Sequence, residues 1–426
     1  MARARPEDRT TINSKTSATN SALFSAEKTT RPTSSATGRV IEAAVKRMGV
    51  ASRDTPAVMP NQVKQIQAGF FTALHIHRLR FATIVTPIFE ACILSGHGAR
   101  SASDSHHPDF KMAAAESQIT SSVLMIRPAR FESNPMTADS NRFQGKSSAT
   151  PAEQHTAALR EFDGLVAVLQ EQGITVIAVD DTAEPHTPDS IFPNNWVSFH
   201  ADGRVVFYPM EATNRRTERR LDIVESLGSE HGFHVSEIVD LSHHESDGQY
   251  LEGTGSMVLD RVNRVAYACL STRTQLDVLG DFAQRMDYDV VAFDAVDKDA
   301  VPIYHTNVLM NIGETIAVIC DEAIARDDQR EAVLERLRDT GHDIVSLNYD
   351  QLDAFAGNML ELRSAAGERL IAMSRQALES LDESQLEVLR ANGSILSAPI
   401  SAIESSAGGS VRCMLAEIHL PQRERL

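Results

Sequence analysis

One order of elements, a hairpin, then a helix, then a strand, recurs along most of this chain and constrains its fold more than any other feature. The clearest hairpin is "WVSFHADGRVVFYP", in which the Asp202-Gly203 pair is typical of a tight turn. The order returns roughly every 60–75 residues, which gives four units and a split fifth. Because one such unit cannot bury its sheet face alone, its copies must pack together. The pattern predicts a single α/β domain of pseudo-repeats, without fixing their number or their closure.

Hydrophobic periodicity and capping residues predict the individual elements. Further hairpins are predicted over residues 256–270, 308–320 and 359–374, and helices over residues 214–228, 272–286, 329–341 and 384–393. The best-defined helix covers residues 150–173. Its predicted N-cap is Thr150, Pro151 occupies the first helical position, and Glu153 completes a capping box. Gly173 is the predicted C-cap.

The first 118 residues differ in composition from the remainder. Residues 1–116 are rich in Ser, Thr, Ala and Arg and hold 15 basic and 9 acidic residues, whereas the whole chain has a formal charge of −17. This asymmetry predicts a poorly ordered extension, residues 1–118, followed by one folded domain, residues 119–426. A transit-like extension and a start codon assigned too far upstream are both open. Its apolar stretch, residues 70–94, contains four basic or histidine side chains, which excludes a spanning helix.

Charge and cysteine content narrow the classes of partner. A pI near 5.3 and the negative net charge argue against nucleic acid or an anionic membrane as a partner. The four cysteines lie far apart with no CxxC pair, so neither a disulfide framework nor a zinc site is expected. We therefore expect a reduced, cytoplasmic setting. The cysteines are Cys92, Cys269, Cys320 and Cys413.

Chemically active side chains stand where predicted strands begin or end, which is where binding sites are commonly built. Asp189 lies in "TPDSIFPNNWVSF", Glu252 in "YLEGTGSMVL", His305 in "PIYHTNVLMNIG" and Cys413 in "SAGGSVRCML". Taken singly, these are an ordinary turn, a glycine-rich bend, a core histidine and a buried thiol. Taken together, they fit a thiol hydrolase. A thiolate is the nucleophile, histidine transfers the proton, and a carboxylate orients the histidine or the substrate.

Three local expectations concern these segments. His305 and Asn307 have the same parity, so their side chains are expected on one face of a strand. The glycines before Cys413 are expected to let the backbone approach the substrate closely. Arg412 is then expected on the opposite side of the strand, in a surface or structural role.

The motifs "PDSIFPNNW", "LEGTGS", "YHTNVLM" and "GGSVRCM", in this order, resemble the arginine deiminase and amidinotransferase superfamily, the pentein fold. Within it, the chain most resembles the citrulline-utilisation hydrolases. The resemblance covers residues 119–426 and leaves residues 1–118 outside. It implies a five-bladed α/β propeller of ββαβ units, in agreement with the repeats.

The resemblance also implies a role for each matched residue. Cys413 is implied as the nucleophile, His305 as the acid–base group and Glu252 as the acid of the Glu-Gly-Gly-Asp type motif. Asp189 is implied to hold the guanidinium or ureido nitrogens of the substrate. For the substrate's α-carboxylate the resemblance implies two arginines, Arg273 and Arg216, the latter with Arg215 as its neighbour.

The chain departs from relatives that act on arginine or methylated arginine. Those relatives often carry carboxylates where this chain has Asn194-Asn195, Gly255 and Asn307. Each replacement removes negative charge, and a buried guanidinium without carboxylates is costly. A neutral ureido group needs hydrogen-bond donors and acceptors, and asparagine supplies both. The pocket chemistry therefore favours citrulline.

We expect a cysteine hydrolase that cleaves a C–N bond of a ureido or guanidino amino acid through a covalent thio-intermediate. The enzyme alternatives are arginine deiminase, dimethylarginine hydrolase and amidinotransferase, and the non-enzyme alternative is a pentein scaffold that only binds. No metal or cofactor is implied. The expected partner is a small amino-acid substrate, and assembly into a homo-oligomer is left open.

Overall fold

The computed structural model describes residues 116–145 and 149–423. The predicted character of residues 1–115, including the apolar stretch, lies outside the described residues. The described part is a mixed α/β fold in which fifteen short strands form five three-stranded sheets. The strands are β1 (Ser122–Arg127), β2 (Thr175–Asp180), β3 (Val197–Phe199), β4 (Arg204–Phe207), β5 (Glu237–Asp240), β6 (Val258–Asp260), β7 (Val265–Cys269), β8 (Asp289–Phe293), β9 (Met310–Ile312), β10 (Ile316–Ile319), β11 (Asp343–Ser346), β12 (Leu360–Arg363), β13 (Arg369–Ser374), β14 (Ser394–Ala398) and β15 (Ala416–Glu417).

All five sheets have the same internal order. The first strand pairs antiparallel with the middle strand, and the middle strand pairs parallel with the third, as in β6-β7-β8. The split unit forms one sheet, β15-β1-β2, in which Val123 lies opposite Glu417 and Leu124 opposite Ala416. The strands at the two ends of the domain therefore share hydrogen bonds. This repetition confirms the predicted α/β pseudo-repeats.

Helices connect the parallel strands, because a parallel pair cannot be joined by a tight turn. Each parallel pair is joined through one of the five longest helices, but one short helix also lies between β13 and β14. The five are α1 (Pro151–Glu171), α2 (Leu221–Ser229), α4 (Leu276–Met286), α6 (Asp327–Asp339) and α9 (Glu383–Asn392). The remaining helices are short: α3 (Gly253–Ser256), α5 (Thr306–Leu309), α7 (Tyr349–Asp353), α8 (Arg375–Ser380) and α10 (Ser401–Ala407). Among the described residues, no helix is long and apolar enough to cross a bilayer.

The longest of these helices, α1, shows how sequence produces packing. The Thr150 side chain and Glu153 form the predicted capping box, and Gly173 follows the helix with φ +78°. Its buried residues include Phe162, Leu165 and Leu169, whose spacing puts them on one helical face. Truncating the fully buried Phe162 to alanine would cost about 3–5 kcal/mol, the usual cost of a core phenylalanine.

One strand was missed, and two local expectations were wrong. The missed strand is β5, the third strand of the sheet β3-β4-β5, which buries only Val239 and lacks a hydrophobic pattern. Residues 214–228 are not one helix: a 3₁₀ turn, Thr213–Glu218, precedes α2. His305 and Asn307 do not alternate along a strand, because His305 caps the single helical turn α5 and Asn307 lies inside it.

The folded domain includes residues that were assigned to the extension. Gln118 is buried, and its amide donates to the carbonyls of Leu259 (2.9 Å) and Ile312 (3.1 Å). Glu116 forms ion pairs with Arg261 (3.0 Å) and Arg264 (2.7 Å). The side chain of Gln118 therefore ties together the first strands of two sheets, so the packed structure begins no later than Glu116.

Candidate active site

The polar segments identified in the sequence all immediately precede the first strand of a sheet. We call these positions the mouths of the sheets. Four of them are single helical turns: Pro193–Asn195 before β3, α3 before β6, α5 before β9, and Val411–Met414 before β15. The turn Pro193–Asn195 contacts both α3 and Val411–Met414, and α3 contacts α5. Repetition of one supersecondary unit thus brings side chains that are distant in sequence to one place.

Cys413 lies in the last of these turns and is buried. Its sulfur accepts a hydrogen bond from Asn358 Nδ2 at 3.2 Å and lies 3.6 Å from Asn307 Nδ2. Burial raises the pKa of the Cys413 thiol above its ordinary value, and the hydrogen bonds at its backbone and from Asn358 offset part of that rise. The resting cysteine is therefore a neutral thiol held by two amides.

His305 and Glu252 form a hydrogen-bonded pair. The distance from His305 Nε2 to Glu252 Oε2 is 2.9 Å, and the histidine ring packs against Tyr304 at a tilt of 47°, with centroids 4.6 Å apart. Burial lowers the pKa of His305 to about 4, although Glu252 pulls in the opposite direction. At neutral pH the imidazole is uncharged. Because Nε2 donates to the carboxylate, Nδ1 is the nitrogen free to accept a proton.

Glu252 is fully buried and is nonetheless ionised. Burial by itself would raise the pKa of Glu252, but Arg273, the His305 hydrogen bond and Arg215 together hold it well below its usual range. Its Oε2 lies 3.5 Å from Arg273 Nη1 and 3.7 Å from Arg215 Nη1. A buried carboxylate of this kind can fix the tautomer and orientation of the histidine, and it stabilises an imidazolium when one forms.

Asp189 is buried and faces the same region. Its Oδ2 accepts a hydrogen bond from Asn134 Nδ2 at 2.7 Å and lies 3.6 Å from Arg215 Nε. Asn134 comes from the segment between β1 and α1, which also reaches Arg273 through Ser140 Oγ at 2.6 Å. This segment therefore contacts both a candidate acid and a candidate arginine of the site.

The structure distinguishes the two neighbouring arginines. Arg215, and not Arg216, lines the cleft beside Cys413 and His305. Arg215 is buried and binds Glu218 at 2.9 Å and Asn195 Oδ1 at 3.0 Å. Arg216 is about one quarter exposed and donates instead to the Met210 carbonyl. Arg216, the residue predicted to bind the α-carboxylate, therefore lies outside the cleft wall. Sequence pattern cannot separate adjacent identical residues in a 3₁₀ turn.

Arg273, also predicted to bind the substrate's α-carboxylate, lies in the wall of the cleft. Its guanidinium is buried, stacks over the Tyr304 ring at 4.9 Å, and lies 3.4 Å from Glu211. Together with Arg215 it presents two positive charges to the cleft.

The three predicted asparagines are all buried but differ in position. Asn195 lines the cleft and donates to Asn194 Oδ1 at 3.0 Å. Asn194 Nδ2 has no hydrogen-bond partner among the described residues. Asn307 lies against the Cys413 sulfur rather than in the cleft wall. Asn307 is thus placed to act on the Cys413 sulfur.

Asn358 is a site residue that sequence reasoning missed. It stands in "FAGNMLEL", at the mouth of the sheet β12-β13-β14, which is the fourth sheet when they are counted from β3. The other four mouths each carry a polar side chain that was singled out above. Asn358 Nδ2 also donates to the Asn307 carbonyl at 2.8 Å. Aligning the repeats by their first strands would have identified Asn358 from the sequence.

Glycines at the site allow close approach, mainly between parts of the protein itself. A Cβ at Gly255 would lie 2.4 Å from Asn195 Nδ2 and 2.8 Å from His305 Nδ1. Gly409 lines the cleft, and a Cβ there would meet the Phe192 ring at 2.7 Å.

The expectation about Arg412 was half right. It lies in a 3₁₀ turn rather than a strand, and its role is structural: a buried ion pair with Glu417 at 2.7 Å.

The cleft wall collects most of the predicted residues in a small concave site. Its charged or titratable members are one carboxylate, two guanidiniums, the imidazole, the thiol and the Tyr304 phenol. Glu252 stands behind the histidine, and Asn194, Asn307 and Arg216 lie outside the wall. A buried thiol, an uncharged imidazole and a carboxylate behind it can perform nucleophilic substitution with proton transfer. The lining residues are Asn141, Asp189, Phe192, Asn195, Arg215, Arg273, Tyr304, His305, Ala407, Gly408, Gly409 and Cys413.

Comparison with known proteins identifies the family of the chain. The family model of N,N dimethylarginine dimethylhydrolase, eukaryotic, matches residues 127–420. The N-terminal domain of ArgZ, an arginine dihydrolase from the ornithine-ammonia cycle in cyanobacteria, was solved as a mutant bound to substrate. It is 18% identical with a TM-score of 0.54, and the match covers 70% of this chain and 97% of that chain. No curated protein matches the chain.

A second solved structure is AgrE, as a mutant in complex with L-arginine. It is 16% identical with a TM-score of 0.55, and the match covers 72% of this chain but 41% of AgrE. At such low identity these structures show the fold alone. Fold and family together define a pentein-superfamily hydrolase that acts on non-peptide C–N bonds. Within that class, the chain belongs to the N,N dimethylarginine dimethylhydrolase family, eukaryotic.

Proposed function

We propose that the protein hydrolyses a C–N bond at the terminal carbon of a free ureido or guanidino amino acid, with citrulline as the substrate. The observation that carries this proposal is the convergence of Cys413, His305 and Asp189 in one cleft with two arginines. Each comes from a different repeat. A binding scaffold would have no need for a nucleophile, a base and an acid together.

The charges of the cleft wall favour a neutral group next to the sulfur. The wall has a single carboxylate, Asp189, which is already bound by Asn134 and lies near Arg215. The sulfur itself is surrounded by the amides of Asn307 and Asn358. Amides can both donate to a ureido oxygen and accept from its nitrogens. A guanidinium would need more negative charge at this depth.

The two arginines suit the other end of an amino acid. Guanidinium groups bind carboxylates by paired, charge-assisted hydrogen bonds. Arg215 and Arg273 line the cleft together, and each is backed by a buried carboxylate, Glu218 or Glu252, that holds it in place. We assign the substrate's α-carboxylate to this pair.

The chemistry then proceeds in two halves. The Cys413 proton passes to His305 Nδ1, and the sulfur forms a bond to the ureido carbon. The C–N bond breaks as His305 returns the proton to the departing amine. Water, deprotonated by His305, attacks the thio-intermediate and breaks the C–S bond. The proton taken from water returns through His305 to the Cys413 sulfur. The released product is a carbamic acid, which loses carbon dioxide as its remaining C–N bond breaks. Citrulline and one water therefore yield ornithine, carbon dioxide and ammonia, whichever of the two C–N bonds breaks first.

Glu252 acts through the histidine in this scheme. Its hydrogen bond keeps Nε2 protonated, so that Nδ1 is the base, and its charge stabilises the imidazolium between the two proton transfers. The amides of Asn307 and Asn358 stabilise the sulfur while it carries negative charge.

A second substrate class is favoured by the family match. The family is named for dimethylarginine, and the same groups would release dimethylamine from it or ammonia from arginine. Purified protein should therefore be incubated with citrulline, arginine, dimethylarginine and agmatine, with Cys413→Ser as the control. We expect ornithine and ammonia from citrulline. If a guanidino compound is turned over faster than citrulline, that compound replaces citrulline as the proposed substrate. If none of the four compounds is turned over, the protein is a binding scaffold.

The arrangement of the five sheets is part of the same proposal. First strands of several sheets contact one another: β15 with β3, β6 with β9, and β9 with β12. These contacts support five blades around an axis, with their mouths at one end of it.

A further inference from the structure

We propose that His243, His244 and Asp281 form a binding site for a divalent cation of the zinc type, apart from the catalytic cleft. His243 and His244 lie in the 3₁₀ turn Ser242–Asp247, which follows β5, and Asp281 lies in α4 of the next repeat. Their ligand atoms, two imidazole nitrogens and one carboxylate oxygen, all lie within 4.8 Å of one another.

Both histidines direct Nε2 at the same carboxylate oxygen. Asp281 Oδ2 lies 3.0 Å from His244 Nε2 and 3.8 Å from His243 Nε2, and the two rings are side by side with centroids 4.2 Å apart. Zinc bonds to nitrogen and oxygen are about 2.0–2.2 Å, which puts tetrahedral ligand atoms about 3.3 Å apart. Only His243, whose side chain is 56% exposed, has to move inward to reach that spacing.

The hydrogen bonding of His243 provides an independent argument. Its Nδ1 lies 3.3 Å from the backbone carbonyl of Asp240, which can only accept, so Nδ1 carries the proton. Nε2 is then the nitrogen left to face Asp281 Oδ2 and a bound cation. A histidine that donates one nitrogen to a carbonyl while the other faces a cation is the usual arrangement at metal sites.

The carboxylate is also held in position. Arg285 Nε donates to Asp281 Oδ1 at 2.7 Å, which leaves Oδ2 directed at the two rings. The arginine charge weakens the attraction for a cation, so we expect micromolar rather than tighter affinity. Two imidazoles and one carboxylate suit zinc, whereas magnesium and calcium prefer all-oxygen ligands.

Zinc titration of the full-length protein tests this site, in a Cys413→Ser background because a thiolate is itself a zinc ligand. We expect the His243→Asn/His244→Asn variant to bind one zinc equivalent fewer than its parent. The matched control is His231→Asn/His234→Asn, which removes two exposed histidines elsewhere and should bind as the parent does. Histidines in the rest of the chain contribute equally to all three proteins.

Thermal unfolding provides a second readout. Zinc chloride at about 100 times the dissociation constant should raise the melting temperature of the parent and the control by several degrees, and that of the double variant by less. Asp281→Asn should weaken binding about tenfold or more and keeps the test valid if the double variant does not fold. Equal zinc binding by all variants, or an equal response to magnesium chloride, would overturn the proposal.

Discussion

The side chain of Asn358 holds Cys413 at two points: its Nδ2 lies 3.2 Å from the sulfur, and its Oδ1 accepts from the Cys413 backbone N–H at 3.4 Å. One amide thus fixes both the position of the nucleophile and part of its electrostatic environment. Because the sulfur is buried, a donor there stabilises the thiolate more than it would in water.

Asn358→Leu keeps the approximate shape of the side chain and removes both contacts. Hydrogen bonds to charged groups contribute about 1.5–3 kcal/mol, so we expect kcat to fall roughly 10–100-fold. The pKa of Cys413, already raised above the ordinary 9.0 by burial, should rise further. The rate of alkylation by iodoacetamide against pH, corrected with Cys413→Ser, measures it. Asn311→Leu, another buried amide that does not contact the sulfur, is the control. An unchanged pH profile would contradict the role of Asn358.

Arg215 and Arg216 should respond differently to the same change. Arg215→Gln leaves Glu218 buried without its partner, which typically costs about 3–5 kcal/mol. Adding Glu218→Gln should restore most of the stability in urea unfolding but not the KM, which separates binding from folding. Arg216→Gln, in contrast, should change KM less than about threefold, since its side chain lies outside the cleft. A larger change in KM would indicate that Arg216, and not Arg215, contacts the substrate's α-carboxylate.

Asn307→Asp should shift preference from citrulline towards arginine. A carboxylate at this position pairs with a cation but cannot donate to a ureido oxygen. The new charge near the sulfur slows both substrates, so the ratio of kcat/KM is the quantity to measure. We expect that ratio to move by about tenfold or more, equivalent to roughly 1.4 kcal/mol. A ratio that stays constant would mean that the charge of the pocket does not select the substrate.

Gly255→Ala should reduce activity without unfolding the protein. The new Cβ would lie within 3 Å of both Asn195 Nδ2 and His305 Nδ1, so the proposed base must move. A displacement of about 1 Å can cost roughly 100-fold in rate. Gly164→Ala is the control, because it lies in α1 with open space around it and should stabilise the helix by about 0.5–1 kcal/mol. Full activity in Gly255→Ala would show that His305 Nδ1 is not the base.

Two truncations locate the start of the domain. Removing residues 1–115 should leave kcat and the melting temperature nearly unchanged. Removing residues 1–118 deletes Gln118 and Glu116, so the backbone groups of Leu259 and Ile312 and the buried Arg261 lose partners. At about 1–3 kcal/mol for each buried group, the second truncation should be destabilised by several kcal/mol. Equal stability of the two proteins would mean that these contacts contribute nothing.

Most of the repeating fold could be predicted because its hairpins and helices are locally encoded. The Asp202-Gly203 turn and the capping box of Thr150 and Glu153 act over a few residues, and the structure has both. The strand β5 could not be predicted, since a strand that buries one side chain carries no period of its own.

The candidate site was less predictable than the fold for a related reason. Side chains at the mouths are placed by single helical turns, which are too short to leave a periodic pattern. His305 and Asn307 were therefore assigned to one face of a strand, although they belong to a helical turn. Whether Arg215 or Arg216 turns inward is decided by Glu218 and Asn195, contacts that exist only once the chain has folded. Asn358, at the mouth of the fourth sheet, carried a signal only in comparison with the other mouths.

The pairing of β15 with β1 has a consequence for when the protein becomes active during its synthesis. Asp189, Glu252, His305 and Asn358 emerge from the ribosome in that order, and the segment that carries Cys413 emerges after all of them. That segment is secured by β15, whose partner β1 was made first and has to wait with an unpaired edge. A nascent chain can therefore hold every other group of the cleft while it still lacks Cys413. The cleft becomes complete only when β15 pairs with β1, and the sheet that contains the first strand is therefore the last to form.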